Sequence, residues 1–128
     1  MPERGDLLLV PFPFTDLSAS KRRPVLALTA SDSYGDFIAL PVTSRPQTEH
    51  GLPIPAVDML TGTLPAASWV RTDRVVTLNT SLVVKTIGRV SDHLVTAAAE
   101  RLCSYIASPY KNNSRRRRPA TEPICPDR

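Results

Sequence analysis

Short apolar runs that end or begin at proline constrain the fold of this chain more than any other feature. The run Leu7–Val10 stops at Pro11, and the run Val25–Leu28 starts directly after Pro24. Both runs have the length and composition of β-strands, and a helix interior would not tolerate a proline at either place. Thirteen prolines against five glycines favour short strands separated by rigid turns.

Later stretches continue this strand pattern. Phe37–Val42 is nearly all apolar, which predicts a strand that is buried on both faces. Including the first two runs, we expect strands near 6–12, 24–29, 37–42, 52–57 and 83–90, a turn at 59–63, and one long, bent strand pair over 64–78. Five to seven short strands favour a small, strongly bent sheet or barrel.

One helix is predicted after the strands. Ser91 is a candidate N-cap, and apolar residues recur at helical spacing as far as Ile106, so 92–107 reads as an amphipathic helix. Pro109 ends it. The expected fold class is therefore mainly β, a small barrel-like sheet with a C-terminal helix.

The positive charge is concentrated at the end of the chain. Of the net charge of +4, residues 1–109 contribute nothing, because their ten basic and ten acidic side chains cancel. Residues 110–128 contain the run Arg115–Arg118 and almost nothing apolar, so they cannot bury enough surface to become ordered. We expect one folded domain over 1–109 and a basic, disordered tail over 110–128.

No apolar stretch approaches the roughly 20 residues that a membrane-spanning helix needs. No signal peptide precedes Arg4. These two observations predict a cytoplasmic protein.

Polar side chains at strand ends are the candidates for chemistry. Arg23 precedes a proline, which holds its backbone extended. Thr43 and Ser44 follow a buried run and place two hydroxyls at its end. Arg71 and Asp73 are two residues apart in an expected strand, so we expect their side chains on one face.

The Arg71–Asp73 pair admits two interpretations. It can be a structural ion pair, in which the arginine lowers the pKa of the carboxylate. It could also take a proton from a ribose 2′-hydroxyl and stabilise the charge that develops on a phosphate. Taken singly, each of these residues is more often structural than catalytic.

The sequence predicts no metal site and no cofactor. His50 and His93 are isolated, with no cysteine or carboxylate at ligand spacing. The chain also lacks a glycine-rich phosphate loop and a Gly-x-Ser-x-Gly nucleophile motif.

Four blocks of sequence, taken in order, carry a resemblance to a known family. They are Gly5–Phe12, Lys21–Leu28, Leu40–Ser44 and Trp69–Arg74. Together they resemble the MazF/PemK (Kid-like) toxins of type II toxin-antitoxin systems, over roughly residues 3–107. The first two blocks, which include Arg23-Pro24, are quite specific to this family. The other two are weak indicators alone and strong ones when they follow the first two in this order.

The resemblance implies an SH3-like barrel, a symmetric homodimer and a metal-independent endoribonuclease that cuts single-stranded mRNA at short sequences. In such enzymes the ribose 2′-oxygen attacks the adjacent phosphate and leaves a 2′,3′-cyclic phosphate and a 5′-hydroxyl. A small acidic antitoxin neutralises such toxins by lying across the groove.

The resemblance also implies roles for individual residues. Asp73 matches the general base, Arg71 the general acid or oxyanion stabiliser, Arg23 the arginine that holds the scissile phosphate, and Thr43 a hydroxyl that binds the phosphate or nucleotide. The residues assigned to substrate binding are Ser18, Ser20, Lys21, Ser44 and Arg74. Some family members carry a histidine or glutamate in the loop before the Arg-Pro, where this chain has Asp16, Ser18 and Ser20.

The alternative function is a non-catalytic SH3-like barrel that binds RNA or a protein partner through the same groove. RNA cleavage by the purified protein under metal-free conditions separates the two.

Overall fold

The computed structural model describes residues 2–11, 22–46 and 48–107. They form eight strands and one α-helix. The strands are β1 (Asp6–Pro11), β2 (Arg22–Ala27), β3 (Asp36–Thr43), β4 (Gly51–Pro53), β5 (Met59–Thr61), β6 (Trp69–Arg71), β7 (Val76–Asn79) and β8 (Lys85–Val90), followed by α1 (Asp92–Ala107). One-turn 3₁₀ helices lie at Ala56–Asp58 and Thr80–Leu82.

All strand pairs are antiparallel, and the sheet runs in the order β4-β6-β3-β2-β1-β8-β5, with β7 paired to β3. Within the described residues, no ladder of hydrogen bonds joins β4 to β5, so the barrel-like sheet is not closed. The prediction of a mainly β fold with a C-terminal helix is confirmed.

The central strands are buried on both faces because two apolar clusters sandwich the sheet. Alternate residues of β1 separate into them: Leu7 joins the cluster under α1, whereas Leu8 and Val10 join the other. The first cluster includes Leu94, Val95 and Ala98 of α1, Leu26 of β2 and Val70 of β6, and the second includes Val25, Ala27, Phe37, Ala39 and Leu78. Strand β3 contributes to both clusters, as its continuous apolar run predicts.

Helix α1 matches the predicted range, and its start has the expected cap. The Ser91 hydroxyl accepts a hydrogen bond from the Leu94 amide at 3.2 Å. The same hydroxyl donates to the Asp58 carboxylate at 2.9 Å, which ties the helix start to the segment before β5. Asp92 also pairs with Arg4 at 2.9 Å, so the segment before β1 contacts the start of α1.

Three strand predictions were wrong in detail. Residues 59–63, expected to form a turn, contain β5, which pairs with β8 through a register shift. The strand expected over 52–57 shortens to Gly51–Pro53 and gives way to a 3₁₀ turn, because prolines at 53 and 55 remove two ladder donors. The bent strand pair expected over 64–78 corresponds to β6 and β7, but each of them pairs with β3 and not with the other, and the described residues form eight strands instead of five to seven.

Several predictions fall outside the described residues. The tail over 110–128, and Ser18, Ser20 and Lys21 in the connection between β1 and β2, are among them. Among the residues that are described, no helix is both long and apolar enough to cross a membrane.

Candidate active site

Three of the predicted site residues lie on adjacent strands and project from one face of the sheet. Thr43, the last residue of β3, pairs with Trp69 in β6. The β2–β3 register, continued by two residues beyond its last pair, brings Arg23 opposite Thr43. Residues that are opposite each other in an antiparallel sheet project to the same side, so Arg23, Thr43 and Trp69 share a face. Arg71 lies two positions after Trp69 in β6 and therefore projects to the same side. We call this surface, with Arg23, Thr43, Trp69 and Arg71, the site face.

The Arg23 and Thr43 side chains leave groups available for a ligand. Arg23 is exposed and takes part in none of the ion pairs found in the described part of the chain. The half-buried Thr43 hydroxyl accepts the Arg45 amide at 3.1 Å. A hydroxyl that accepts one hydrogen bond can still donate its own proton, so Thr43 can donate to a phosphate oxygen.

A turn inserted between β6 and β7 positions Asp73. Val70 of β6 pairs with Val42 of β3, and Val76 of β7 pairs with Ala39 of β3. The six positions from Val70 to Val76 therefore lie opposite only three positions of β3. Three residues between β6 and β7 are therefore in excess of what can pair with β3. Residues 72–75 lie outside the strands, and we call this segment the site turn. Asp73 therefore lies in a turn and not in a strand, and the prediction that strand alternation aligns it with Arg71 was wrong.

The site turn is anchored at its start by Thr72, which is 3% exposed. The Thr72 amide and hydroxyl both donate to the carbonyl oxygen of His50, at 3.0 and 2.7 Å. A buried hydroxyl that is satisfied in this way fixes the backbone on either side of it. The anchor therefore fixes the position of the next residue, Asp73.

Asp73 folds back onto Arg71 in a two-point ion pair. Arg71 Nε donates to Asp73 Oδ1 at 3.0 Å, and a terminal nitrogen donates to Oδ2 at 2.8 Å. Both side chains are largely buried, 18% and 13% exposed. Two parallel, charge-assisted hydrogen bonds make such a pair stronger and more specific in geometry than a single contact.

The ion pair shifts both pKa values away from neutrality. The hydrogen bond from Arg71 lowers the pKa of Asp73 against the opposing effect of burial, and the nearby His50 lowers it further. The hydrogen bond to Asp73 raises the pKa of Arg71. The pair therefore holds one full negative and one full positive charge at neutral pH.

His50 is a residue of this region that the sequence analysis missed. The Gly51–Arg71 pair places it beside the site turn, and its ring meets the edge of Tyr105 with centroids 4.9 Å apart. His50 lines a pocket of about 450 Å³ between α1 and the site turn, together with Glu49, Thr72, Ala97, Glu100, Arg101, Ser104 and Tyr105. No pattern around 44–50 indicates this neighbourhood, because it depends on the β4–β6 pairing.

The remaining predicted residues lie at the margins of the site. Ser44 is exposed and follows Thr43 directly. Arg74 is exposed in the site turn, and its amide donates to the Arg71 carbonyl at 3.5 Å. Throughout the described ranges, no group of three or more histidine, cysteine or carboxylate side chains is arranged to hold a metal ion.

Fold and site together define a small, mainly β protein with two guanidinium groups, a hydroxyl and an ionised carboxylate around one area of sheet. A family model described as the PemK-like, MazF-like toxin of type II toxin-antitoxin systems matches residues 3–106. The chain belongs to this toxin family.

Solved structures share the fold at low sequence identity. A MazE–MazF complex from Deinococcus radiodurans is 22% identical, with a TM-score of 0.64, over 82% of this chain and 94% of that one. A mycobacterial endoribonuclease in complex with its cognate antitoxin is 17% identical, with a TM-score of 0.67, over 86% and 99%. The toxin MazF-mt6 of Mycobacterium tuberculosis is 21% identical, with a TM-score of 0.61, over 80% and 96%. No curated protein sequence matches the chain significantly.

Proposed function

We propose that this toxin is a metal-independent endoribonuclease that cleaves single-stranded RNA by attack of a ribose 2′-hydroxyl. The observation that carries the proposal is the site face, where Arg23, Thr43 and Arg71 lie on three neighbouring strands, with the Asp73 carboxylate of the site turn bound to Arg71. Membership of the toxin family supports it, as does the fold shared with a mycobacterial endoribonuclease.

In the proposed reaction, the bond from the 2′-oxygen to phosphorus forms and the bond from phosphorus to the 5′-oxygen breaks. The products are a 2′,3′-cyclic phosphate and a 5′-hydroxyl. Asp73, which is ionised at neutral pH, accepts the 2′-hydroxyl proton. Because its lowered pKa makes it a weak base, we assign the larger share of the rate enhancement to the cations around the phosphate. Water, or the Asp73 acid just formed, returns a proton to the leaving 5′-oxygen.

The cations stabilise the charge that builds up on the phosphate. Arg23 and the Thr43 hydroxyl hold the non-bridging oxygens, and Arg71 faces the developing negative charge. Of the two roles expected for Arg71, oxyanion stabilisation is the better supported, because the raised pKa makes its guanidinium a poor proton donor. The reaction requires the 2′-hydroxyl, so DNA is not a substrate.

Assembly and regulation are part of the same proposal. Structural relatives include MazE–MazF complexes and an endoribonuclease bound to its cognate antitoxin. We therefore propose that a small acidic antitoxin neutralises this protein, that the toxin is a homodimer, and that it acts on RNA in the cytoplasm. Ser18, Ser20, Lys21, Ser44 and Arg74 are proposed to bind substrate around the scissile phosphate.

RNA cleavage in EDTA tests the proposal. Sequencing of RNA 5′ ends after brief expression gives the cut site, and a labelled oligonucleotide containing it is then incubated with purified toxin. The expected products carry a 2′,3′-cyclic phosphate, and a single 2′-deoxynucleotide on the 5′ side of the cut abolishes cleavage. Arg23→Ala should lower the rate at least about 100-fold without changing Tm, because Arg23 is exposed.

The matched control is Lys85→Ala, which removes an exposed cation from β8, a strand that β1 and β2 separate from β3 and β6. It should cleave like wild type. Wild-type protein that binds the RNA and leaves it intact would favour the non-catalytic barrel, and equal activity of the Arg23→Ala variant would remove Arg23 from the mechanism.

A further inference from the structure

Trp69, the only tryptophan of the chain, stands on the site face without a packing role in either core. It is half-buried, whereas the adjacent Val70 is a core residue and is essentially inaccessible. Apart from the sequence block that carries the family resemblance, nothing in the sequence marked this residue.

The register places Trp69 next to the proposed phosphate contacts. It pairs with Thr43 on one side and with Pro53 on the other. Directly opposed residues have Cβ atoms about 5 Å apart, and Arg71 follows two positions along the same strand. Thr43 and Pro53 are both smaller than Trp69, and Trp69 keeps part of its surface accessible to solvent.

We propose that Trp69 is a stacking platform for one nucleobase adjacent to the scissile phosphate. This inference rests on the proposed ribonuclease function and adds a subsite to it. Unpaired RNA bases stack on aromatic rings whatever their identity, whereas bases in a duplex are not accessible to such a ring. Trp69 therefore selects single strands and fixes one nucleotide, while Arg23 and Thr43 hold the phosphate next to it.

Intrinsic fluorescence tests the platform directly, because Trp69 is the only tryptophan. The probe is an oligonucleotide of the mapped cut site that resists cleavage through a single 2′-deoxynucleotide. Saturating RNA should quench the emission. Abasic nucleotides are then introduced one position at a time next to the cut. At one of these positions, the abasic nucleotide should prevent the quenching and weaken binding about 5- to 150-fold.

Two substitutions separate stacking from folding. Trp69→Leu should bind intact RNA about 5- to 150-fold more weakly, and the abasic nucleotide should cost it no further affinity. Trp69→Phe keeps a ring and should recover most of the binding, which a purely structural role would not predict. The control Tyr34→Leu removes an aromatic ring that is 82% exposed, in the turn before β3, and should bind like wild type.

The outcomes distinguish this inference from the function on which it rests. The stacking platform is overturned if wild-type protein cleaves RNA but its emission does not change, and if the abasic nucleotide weakens binding equally in wild type and Trp69→Leu. The ribonuclease function would stand in that case. If the emission changes when the protein is diluted and not when RNA is added, Trp69 lies between two copies of the chain. That result also overturns the stacking platform. A wild type that neither binds nor cuts RNA defeats both proposals. If Trp69→Leu does not fold, the quenching of wild-type emission by RNA and the RNA affinity of Trp69→Phe decide whether Trp69 stacks on a base.

Discussion

The Arg71–Asp73 ion pair should stabilise the fold as well as the site. Asp73→Asn keeps the shape of the side chain but removes its charge. The amide oxygen can accept one Arg71 N–H, while the amide nitrogen faces a second N–H as donor against donor. We expect Asp73→Asn to destabilise the protein at pH 7 and to abolish most of the pH dependence that this carboxylate contributes.

The magnitude follows from the burial of the pair. Exposed ion pairs contribute about 0–1 kcal/mol, and removing one partner of a fully buried pair costs about 3–5 kcal/mol. With side chains 18% and 13% exposed and two hydrogen bonds of 2.8 and 3.0 Å, this pair lies between those limits, and we expect about 2–3 kcal/mol. For a domain of this size, that loss lowers Tm by about 10 °C.

The pH dependence has a defined sign. The pKa of Asp73 is lowered in the folded protein, so its stabilising effect is complete above the unfolded value of about 3.9. The effect is lost as the pH falls through the lower, folded pKa. The difference in unfolding free energy between wild type and Asp73→Asn should therefore be constant from pH 7 to about pH 5 and shrink below pH 4.

Urea unfolding at a series of pH values measures both quantities. The matched control is Asp92→Asn, which breaks the Arg4–Asp92 pair of similar length, 2.9 Å, but with side chains 41% and 79% exposed. This control should change stability much less. A Tm for Asp73→Asn within 2 °C of wild type, or a destabilisation that is the same at pH 3 and pH 7, would refute the reasoning.

Three further changes have defined outcomes. Gly62→Ala places a Cβ against the Ile87 carbonyl oxygen at a φ of +75°, so calorimetry should show a loss of about 2–4 kcal/mol, and an unchanged Tm would contradict this. Thr72→Val removes the hydroxyl that binds the His50 carbonyl, so stability should fall by about 1 kcal/mol and RNA cleavage should slow as Asp73 shifts; equal cleavage would mean that the site turn holds without it. Deleting residues 110–128 should weaken RNA affinity at low salt and leave the cut sites unchanged, as titrations at two salt concentrations and end mapping would show.

Local patterns predicted those elements whose stability is encoded in their own residues. The apolar face of α1 recurs at helical spacing, and the Ser91 cap satisfies an amide within the same segment, so the range 92–107 was predicted correctly. The continuous apolar run in β3 signalled burial on both faces, and the structure places an apolar cluster on each side of it. Both signals involve neighbours in sequence.

Strand β5 and the site turn were missed because neither has a pattern of its own. Met59–Thr61 becomes a strand only through its pairing with β8. The sequence through Val75 and Val76 continues the strand pattern, so nothing marks the three excess residues that push Asp73 out of the ladder. Only pairing with β3 reveals the excess.

The sequence by itself determined the strand-forming runs, the capped helix and the residue types available for phosphate chemistry, because composition and spacing are properties of single segments. The tertiary structure alone decided that Arg23, Thr43, Trp69 and Arg71 share one face and that His50 lies beside Asp73. Antiparallel pairing joins segments that are tens of residues apart, and a shift of one residue would turn each of these side chains to the opposite face.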